Sequence, residues 1–352
     1  MRKILLPVAG LVALSLLLGA CEVSATPDAA RVGGTTISAS TLTDAMRSIA
    51  RDPGYRCEVL SASSIAIEGA GGSTYSSSYA ADVLTQLVQY QAVHDAVVRL
   101  GLPESPLARQ LAEQQLPQAF APSSGSTCAT TGAQVLGAFS PSYRSRIVQF
   151  EEDQLVLLAH AAGVALTRAG IAGYESRHAG SSTLSCTSVI EVSSQSAAVA
   201  ARQRIAAGAS FASIARGESI DASASKGGSL GCVFPSFFAS PLDTVIAGLA
   251  VGSVSPPVPF GTNYLLLLVT SRPLASLVQV AGVVVSSQQA KFAAMLAAAT
   301  ARASISVDPS YGTWTLSATG GHVAPPSGPP DALLPDPVAV TPVAATAASP
   351  AG

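Results

Sequence analysis

Arg204 to Val233 reads RIAAGASFASIARGESIDASASKGGSLGCV, and its punctuation is specific. One amphipathic helix runs out at Gly208. A second, short helix follows with Phe211, Ile214 and Ala215 at i, i+3 and i+4, the spacing of a single helical face. A polar loop carrying Asp221 then leads to Gly227 and Gly228. Glycine tolerates positive φ, so the pair permits a sharp turn into a strand beginning near Leu230.

Working outward, TSVIEV (Thr187 to Val192) precedes this segment as a strand. LAVGSVSPPVPFG (Leu249 to Gly261) and the strand NYLLLLVTSR, ending at Arg272, follow it. From about Leu184 to Arg272 the pattern resembles a parvulin-type (PpiC, or rotamase) peptidyl-prolyl isomerase domain. That resemblance implies a compact α/β unit over residues 184–273 with a four-stranded antiparallel sheet. It also implies a site made of two facing histidines on central strands, a Cys or Asp beside them, and Met and Phe in a proline pocket.

Carried over by position, Asp221 takes the Cys/Asp place, Phe238 the Met place and Leu242 the pocket Phe place. The histidines themselves are missing: His94, His160, His178 and His322 all lie outside residues 184–272. The first histidine place falls on Ser188 or Val189, and the second on Asn263, Tyr264 or Leu265. Ser188 and Tyr264 are the candidates for a substitute pair, because hydroxyls both donate and accept hydrogen bonds. The chemistry needs no cofactor or metal. Rotation about an X-Pro bond crosses a barrier of ~18–20 kcal/mol, which a site lowers by gripping the ring and keeping water from the planar amide.

The amino terminus addresses the chain. Arg2 and Lys3 precede an apolar run from Ile4 to Leu18, which ends in Leu18-Gly19-Ala20-Cys21. Residues 1–21 are read as a lipoprotein signal peptide with its lipobox, Cys21 being the lipidated residue and the body lying outside a bacterial membrane. Only 11% of residues are charged and the formal net charge is −2, so the chain lacks the basic field that nucleic acid requires.

Cys57, Cys128, Cys186 and Cys232 then remain, with no C-x-x-C pair. An even count outside the cytoplasm implies two disulfides, for which three connectivities exist. The domain frame that the resemblance supplies implies Cys57 with Cys128 and Cys186 with Cys232, each pair within one domain.

Residues 30–180 are mostly helical. RVGGTTIS (Arg31 to Ser38) reads as a hairpin, with Ser38 or Ser40 capping the next helix. Ser61 to Ser78 is Ser/Gly-rich and reads as a loop. Val83 to Leu102 carries an apolar helical stripe closed by Gly101 and Pro103, and Tyr143, Ile147, Phe150, Leu157 and Leu158 mark another.

Beyond the isomerase-like unit, Phe292, Met295, Leu296 and Ala299 form one more helical face, and Ser304 to Val307 alternates as a strand. A lone helix and strand must pack on something already made. This order resembles the SurA/PrsA-like extracytoplasmic foldases, and RVGGTTIS and the helix from Val83 look like that family's first strand and long helix. The resemblance implies an α+β chain in which residues 30–180, completed by 285–316, form a SurA-like chaperone domain that binds unfolded secreted polypeptides. From Ala318 to 352 the Pro/Ala/Val composition reads as a disordered tail.

Two literal motifs carry no chemistry. Gly227 to Gly231 satisfies G-x-S-x-G, but Cys232-Val233-Phe234-Pro235 cannot open the helix that a nucleophile elbow needs. The same glycines lack the G-K-[ST] ending of a phosphate loop. His160 and His178 lie close to Glu175 in sequence, but no further ligand clusters with them, so they read as surface or capping histidines and not a metal site.

Overall fold

The computed structural model describes residues 27–62, 65–69, 74–178, 180, 182–317 and 320–327. Cys21, the signal segment and residues 328–352 lie outside these. The chain opens with β1 (Asp28–Val32) and β2 (Thr35–Ser38), then α1 (Ala39–Arg51), α2 (Pro53–Ala62), α3 (Ser77–Arg99), α4 (Pro106–Ala119), α5 (Gly132–Ala138), α6 (Pro141–Ala161) and α7 (Arg168–Arg177). It continues through β3 (Ser185–Val192), α8 (Gln195–Ala206), α9 (Phe211–Glu218), β4 (Ser229–Val233), α10 (Leu242–Gly248), β5 (Val258–Phe260) and β6 (Asn263–Ser271). It returns through α11 (Leu277–Ser286), α12 (Phe292–Arg302), β7 (Ile305–Val307), β8 (Thr313–Ser317) and β9 (Gly320–Ala324).

The helical body is assembled from both ends of the chain. β1 pairs antiparallel with β2 on one side and with β7 on the other, setting Ala30 opposite Val307 and Val32 opposite Ile305. Ser38 caps α1 by accepting from the Thr41 amide, and Ser140 caps α6 ahead of Pro141. Leu42, Leu84 and Val88 are fully buried in one core that also takes in Ile305 and Val323. A second core joins α3, α4 and α6 to α11, burying Leu155, Leu158, Val280 and Val284. Phe292 at the start of α12 meets Phe150 of α6 edge-on at 6.1 Å.

Three segments depart from the sequence reading. Ser61 to Ser78 is not wholly loop: α2 extends to Ala62, and α3 begins at Ser77 with Ser76 as its cap. Within this stretch Ile67 and Tyr75 are buried, and Glu68 bridges antiparallel to Tyr75.

Residues 277–286, unread as an element, form α11 despite their valines. A capping box between Ser276 and Gln279 starts the helix, and burial of Val278, Val280, Ala281, Val284 and Val285 outweighs β-branched propensity. The stretch read as a disordered tail from Ala318 instead starts with β9. This strand pairs with β8 and lies against α3, where the Thr85 hydroxyl accepts from the Val323 amide at 2.8 Å.

Residues 185–271 form the four-stranded antiparallel sheet, in the order β4-β3-β6-β5. One face carries Ile190, Val192 and Leu266 against Ala198, Ala201, Phe211, Ile214 and Ala215 of α8 and α9. The other carries Val189, Leu265, Leu267 and Val269 against Leu242 and Ile246 of α10.

The glycine pair that anchored the sequence reading is needed for this packing. Gly227 and Gly228 take φ of +69° and +81°, and a Cβ on Gly228 would lie 2.2 Å from the Val189 carbonyl oxygen. Both disulfides are formed, Cys57 to Cys128 and Cys186 to Cys232, the latter between directly opposed residues of β3 and β4.

Candidate active site

The α10 side of the sheet is an apolar floor. Val189 on β3 stands opposite Leu267 on β6, and Leu265 is flanked by Glu191 on β3 and Val258 on β5. Leu242 and Ile246 descend onto this floor from α10, while Phe238 and Leu230 pack at its margin, partly exposed. Leu242 and Phe238, expected in a proline pocket, therefore do meet over one surface. Phe260 at the end of β5 adds an aromatic ring that is 47% exposed.

The expected hydroxyl pair is not brought together. Ser188 stands opposite Leu268 and Tyr264 opposite Val192, so four residues of β3 separate them, roughly 13 Å along a strand. Tyr264 also packs with the α8/α9 core, and Ser188 shares that face by strand alternation. The floor over which Leu242 sits is instead built from the alternatives in the register, Val189 and Leu265.

The β3–β4 ladder is irregular between Thr187 and Ser188, where Gly231 opposes Thr187 and Ser229 opposes Ser188, leaving Leu230 as an extra residue.

Asp221 serves its own turn. Its Oδ1 accepts from the Ser223 amide at 2.8 Å and from the Ser223 hydroxyl, closing an Asx turn ahead of the glycine pair. The loop is tied to the sheet at Glu191, whose amide donates to the Ser219 hydroxyl and whose carbonyl accepts from the Ile220 amide. Asp221 thus stands at the margin of the sheet, in a structural bond.

Two polar residues shape the site without having been singled out in the sequence. Glu191 lies on the α10 face by alternation with Val189, and its Oε1 accepts from Asn263 Nδ2 at 2.6 Å. Arg272, just past β6, donates from Nη1 to the buried Ser185 hydroxyl at 2.6 Å. From Nη2 it donates to the Ile246, Ala247 and Leu249 carbonyls at 2.6, 3.1 and 2.8 Å.

Those carbonyls end α10, where unpaired acceptors and the negative end of the helix dipole favour a cation. Arg272 is a positioning residue, because α10 carries Leu242. Arg272→Ala is expected to cost about 2 kcal/mol in denaturant unfolding and to weaken proline-peptide binding, with Arg272→Lys restoring part of both.

The histidines serve elsewhere. His94 Nδ1 lies 2.9 Å from Asp153 Oδ2 between α3 and α6, and burial pushes the Asp153 carboxyl above its ordinary range against the pull of His94. His178 stacks on Tyr174 with centroids 4.1 Å apart, and His322 is exposed on β9. Among the described residues no three His, Cys, Asp or Glu side chains are grouped to hold a metal ion.

The comparisons with known proteins bear on this unit. Residues 189–271 match the family model for the PPIC-type PPIase domain, described as a rotamase. The parvuline NmPin of Nitrosopumilus maritimus is 31% identical over 26% of this chain and 97% of its own, with a TM-score of 0.24.

Two longer solved structures are also similar. PrsA from Bacillus anthracis is 16% identical over 63% of this chain and 97% of its own (TM-score 0.30). The foldase PrsA of Streptococcus pneumoniae is 13% identical over 76% and 89% (TM-score 0.34). No curated protein matches the chain. The matched family model falls on the segment that forms the sheet and its α10 floor, and this part of the chain belongs to the PPIC-type, or parvulin, rotamase family.

Proposed function

We propose that the protein is an extracytoplasmic foldase, anchored at the membrane through Cys21, that holds proline-containing stretches of unfolded secreted polypeptides on the α10 face of its rotamase domain. The observation that carries this reading is the apolar floor of Val189, Leu265 and Leu267 beneath Leu242, with the partly exposed Phe238 at its margin, in a segment matching the rotamase family. A proline ring bound there loses water, and an X-Pro amide stripped of water loses the hydrogen bonds that favour its planar, charge-separated form. Rotation is then accelerated by desolvation and grip, without acid, base or nucleophile. No helix among the described residues is long and apolar enough to cross a membrane.

The helical body supplies the second half of the reading. Between α3 and α6 lies a cavity of about 260 Å³ lined by Leu87, Tyr90 and Phe150, with the Tyr90 and Phe150 rings stacked at 4.2 Å. Gln91, His94, Arg146, Gln149 and Asp153 line the same cavity, and a recess of this mixed character suits the varied side chains of unfolded clients.

A specific observation favours a second reading, in which the domain binds clients without turning them over. The floor offers Val189 and Leu265 where the family carries its histidines, so no imidazole faces the amide. Chaperoning or docking would then be the whole function.

The test uses residues 22–352. Cis–trans exchange of a proline peptide, followed by NMR, is expected to be faster with the protein than without it. Phe238→Ala should lower both the acceleration and peptide affinity about tenfold, with a stability loss under about 1 kcal/mol because the ring is already partly exposed. Binding with an exchange rate equal to the uncatalysed one would select the second reading, and no binding would remove both.

A further inference from the structure

We propose that Glu191 makes the rotamase face selective for polypeptides that carry Lys or Arg next to proline. The inference rests on the proline site proposed above and adds its preferred sequence.

Glu191 stands in one cross-strand row with Leu265 and Val258 and two residues along β3 from Val189. That separation is about 6.6 Å. Successive Cα atoms of a bound peptide lie about 3.8 Å apart, and a Lys or Arg stem spans the remainder. A side chain adjoining a proline seated over Val189 and Leu242 therefore reaches the Glu191 carboxylate.

The carboxylate is held but not neutralised. Asn263 Nδ2 fixes Oε1 at 2.6 Å, and the Glu191 backbone is pinned on the β4 side by Ser219 and Ile220. Asn263 is a neutral donor, and among the described residues Glu191 belongs to no ion pair. Arg272 is at the far end of the sheet and is held by Ser185 and the last carbonyls of α10. A half-buried carboxylate beside an apolar floor attracts a cation more strongly than one in bulk water and repels a client carboxylate to the same degree. The row thus has an apolar place for the ring and an anionic place for its neighbour.

The experiment measures binding and cis–trans exchange for peptides with Lys, Ala or Glu immediately before proline, and for a second set with those residues immediately after it. Residues 22–352 are used, at low and at high ionic strength. At low salt, Lys is expected to exceed Glu about tenfold in affinity in one of the two sets, and added salt should shrink the ratio. Glu191→Gln keeps the Asn263 contact and should bring that ratio within about twofold, while Glu191→Lys should invert it. Equal affinity for Lys and Glu peptides in both sets, while the Ala peptide binds, would overturn the inference alone. So would a preference that survives Glu191→Gln. Failure of every peptide to bind, Ala included, would overturn the proline site and this inference with it.

Discussion

Gly228→Ala is expected to unfold the rotamase sheet at markedly lower denaturant, with a loss of about 3–4 kcal/mol. Two costs combine. Gly228 has a φ of +81°, a region where an L-residue is strained by about 1–2 kcal/mol. Its added Cβ would also sit 2.2 Å from the Val189 carbonyl oxygen and 3.2 Å from the Ala215 side chain.

Neither neighbour can yield cheaply. Val189 donates its amide to the Gly228 carbonyl at 2.8 Å and contributes its side chain to the site floor, and Ala215 is fully buried on the sheet-facing side of α9. The substitution should therefore reduce proline-peptide binding as well as stability. Gly231→Ala provides the control: φ there is +79°, but nothing lies within 4 Å of the added Cβ, so only the conformational part of the cost should appear. Equal losses for the two variants would mean that the close approach at Val189 is not what the glycine pair provides.

Replacing Cys57 and Cys128 together by serine is expected to lower stability by about 4 kcal/mol. The bond closes a loop of 71 residues, and loop-closure entropy of that length is worth roughly this much in the unfolded chain. The native state supplies a second reason.

α2 has little apolar surface of its own, and it is held through Tyr55, whose ring meets Phe120 at 5.5 Å and Phe139 at 5.4 Å. Glu58 adds hydrogen bonds from the Ser123 amide and the Ser126 hydroxyl. Without the disulfide, α2 and the segment before α5 should become the first sites of proteolytic cleavage. A loss below about 1 kcal/mol, with unchanged protease resistance, would show that these side-chain contacts suffice.

Legibility followed the physical source of each feature. The hairpin at Arg31 to Ser38, the Ser38 cap and the glycine pair are set by local chemistry, and the sequence displays them directly. The return of Ile305 to Val307 onto β1 was inferable because a lone helix and strand need a partner. α11 was hidden because its valines favour strands, and only burial against α4 and α6 decides otherwise. β9 was hidden by Pro and Ala composition, although Gly320 to Val323 finds pairing with β8 and donates a bond from the Val323 amide to Thr85.

The site was half legible. Phe238 and Leu242 were placed by the family resemblance, and the structure packs both on the α10 side of the sheet. TSVIEV has apolar residues at successive positions, so its own pattern does not say which of Ser188 and Val189 faces α10; pairing with β6 and the packing of α10 do. Glu191 and Arg272 carry no motif: one matters through its place in the cross-strand row, the other through the end of α10.

On this reading, proline is gripped on the α10 side of the sheet. Methyl NMR spectra of residues 22–352, recorded during titration with an Ala-Pro peptide, test it most directly. The account predicts shifts concentrated on Val189, Leu242, Leu265 and Leu267, with Ile190 and Leu266 on the opposite face unmoved. Shifts confined to the α8/α9 face, or to the helical body with the sheet silent, would contradict it.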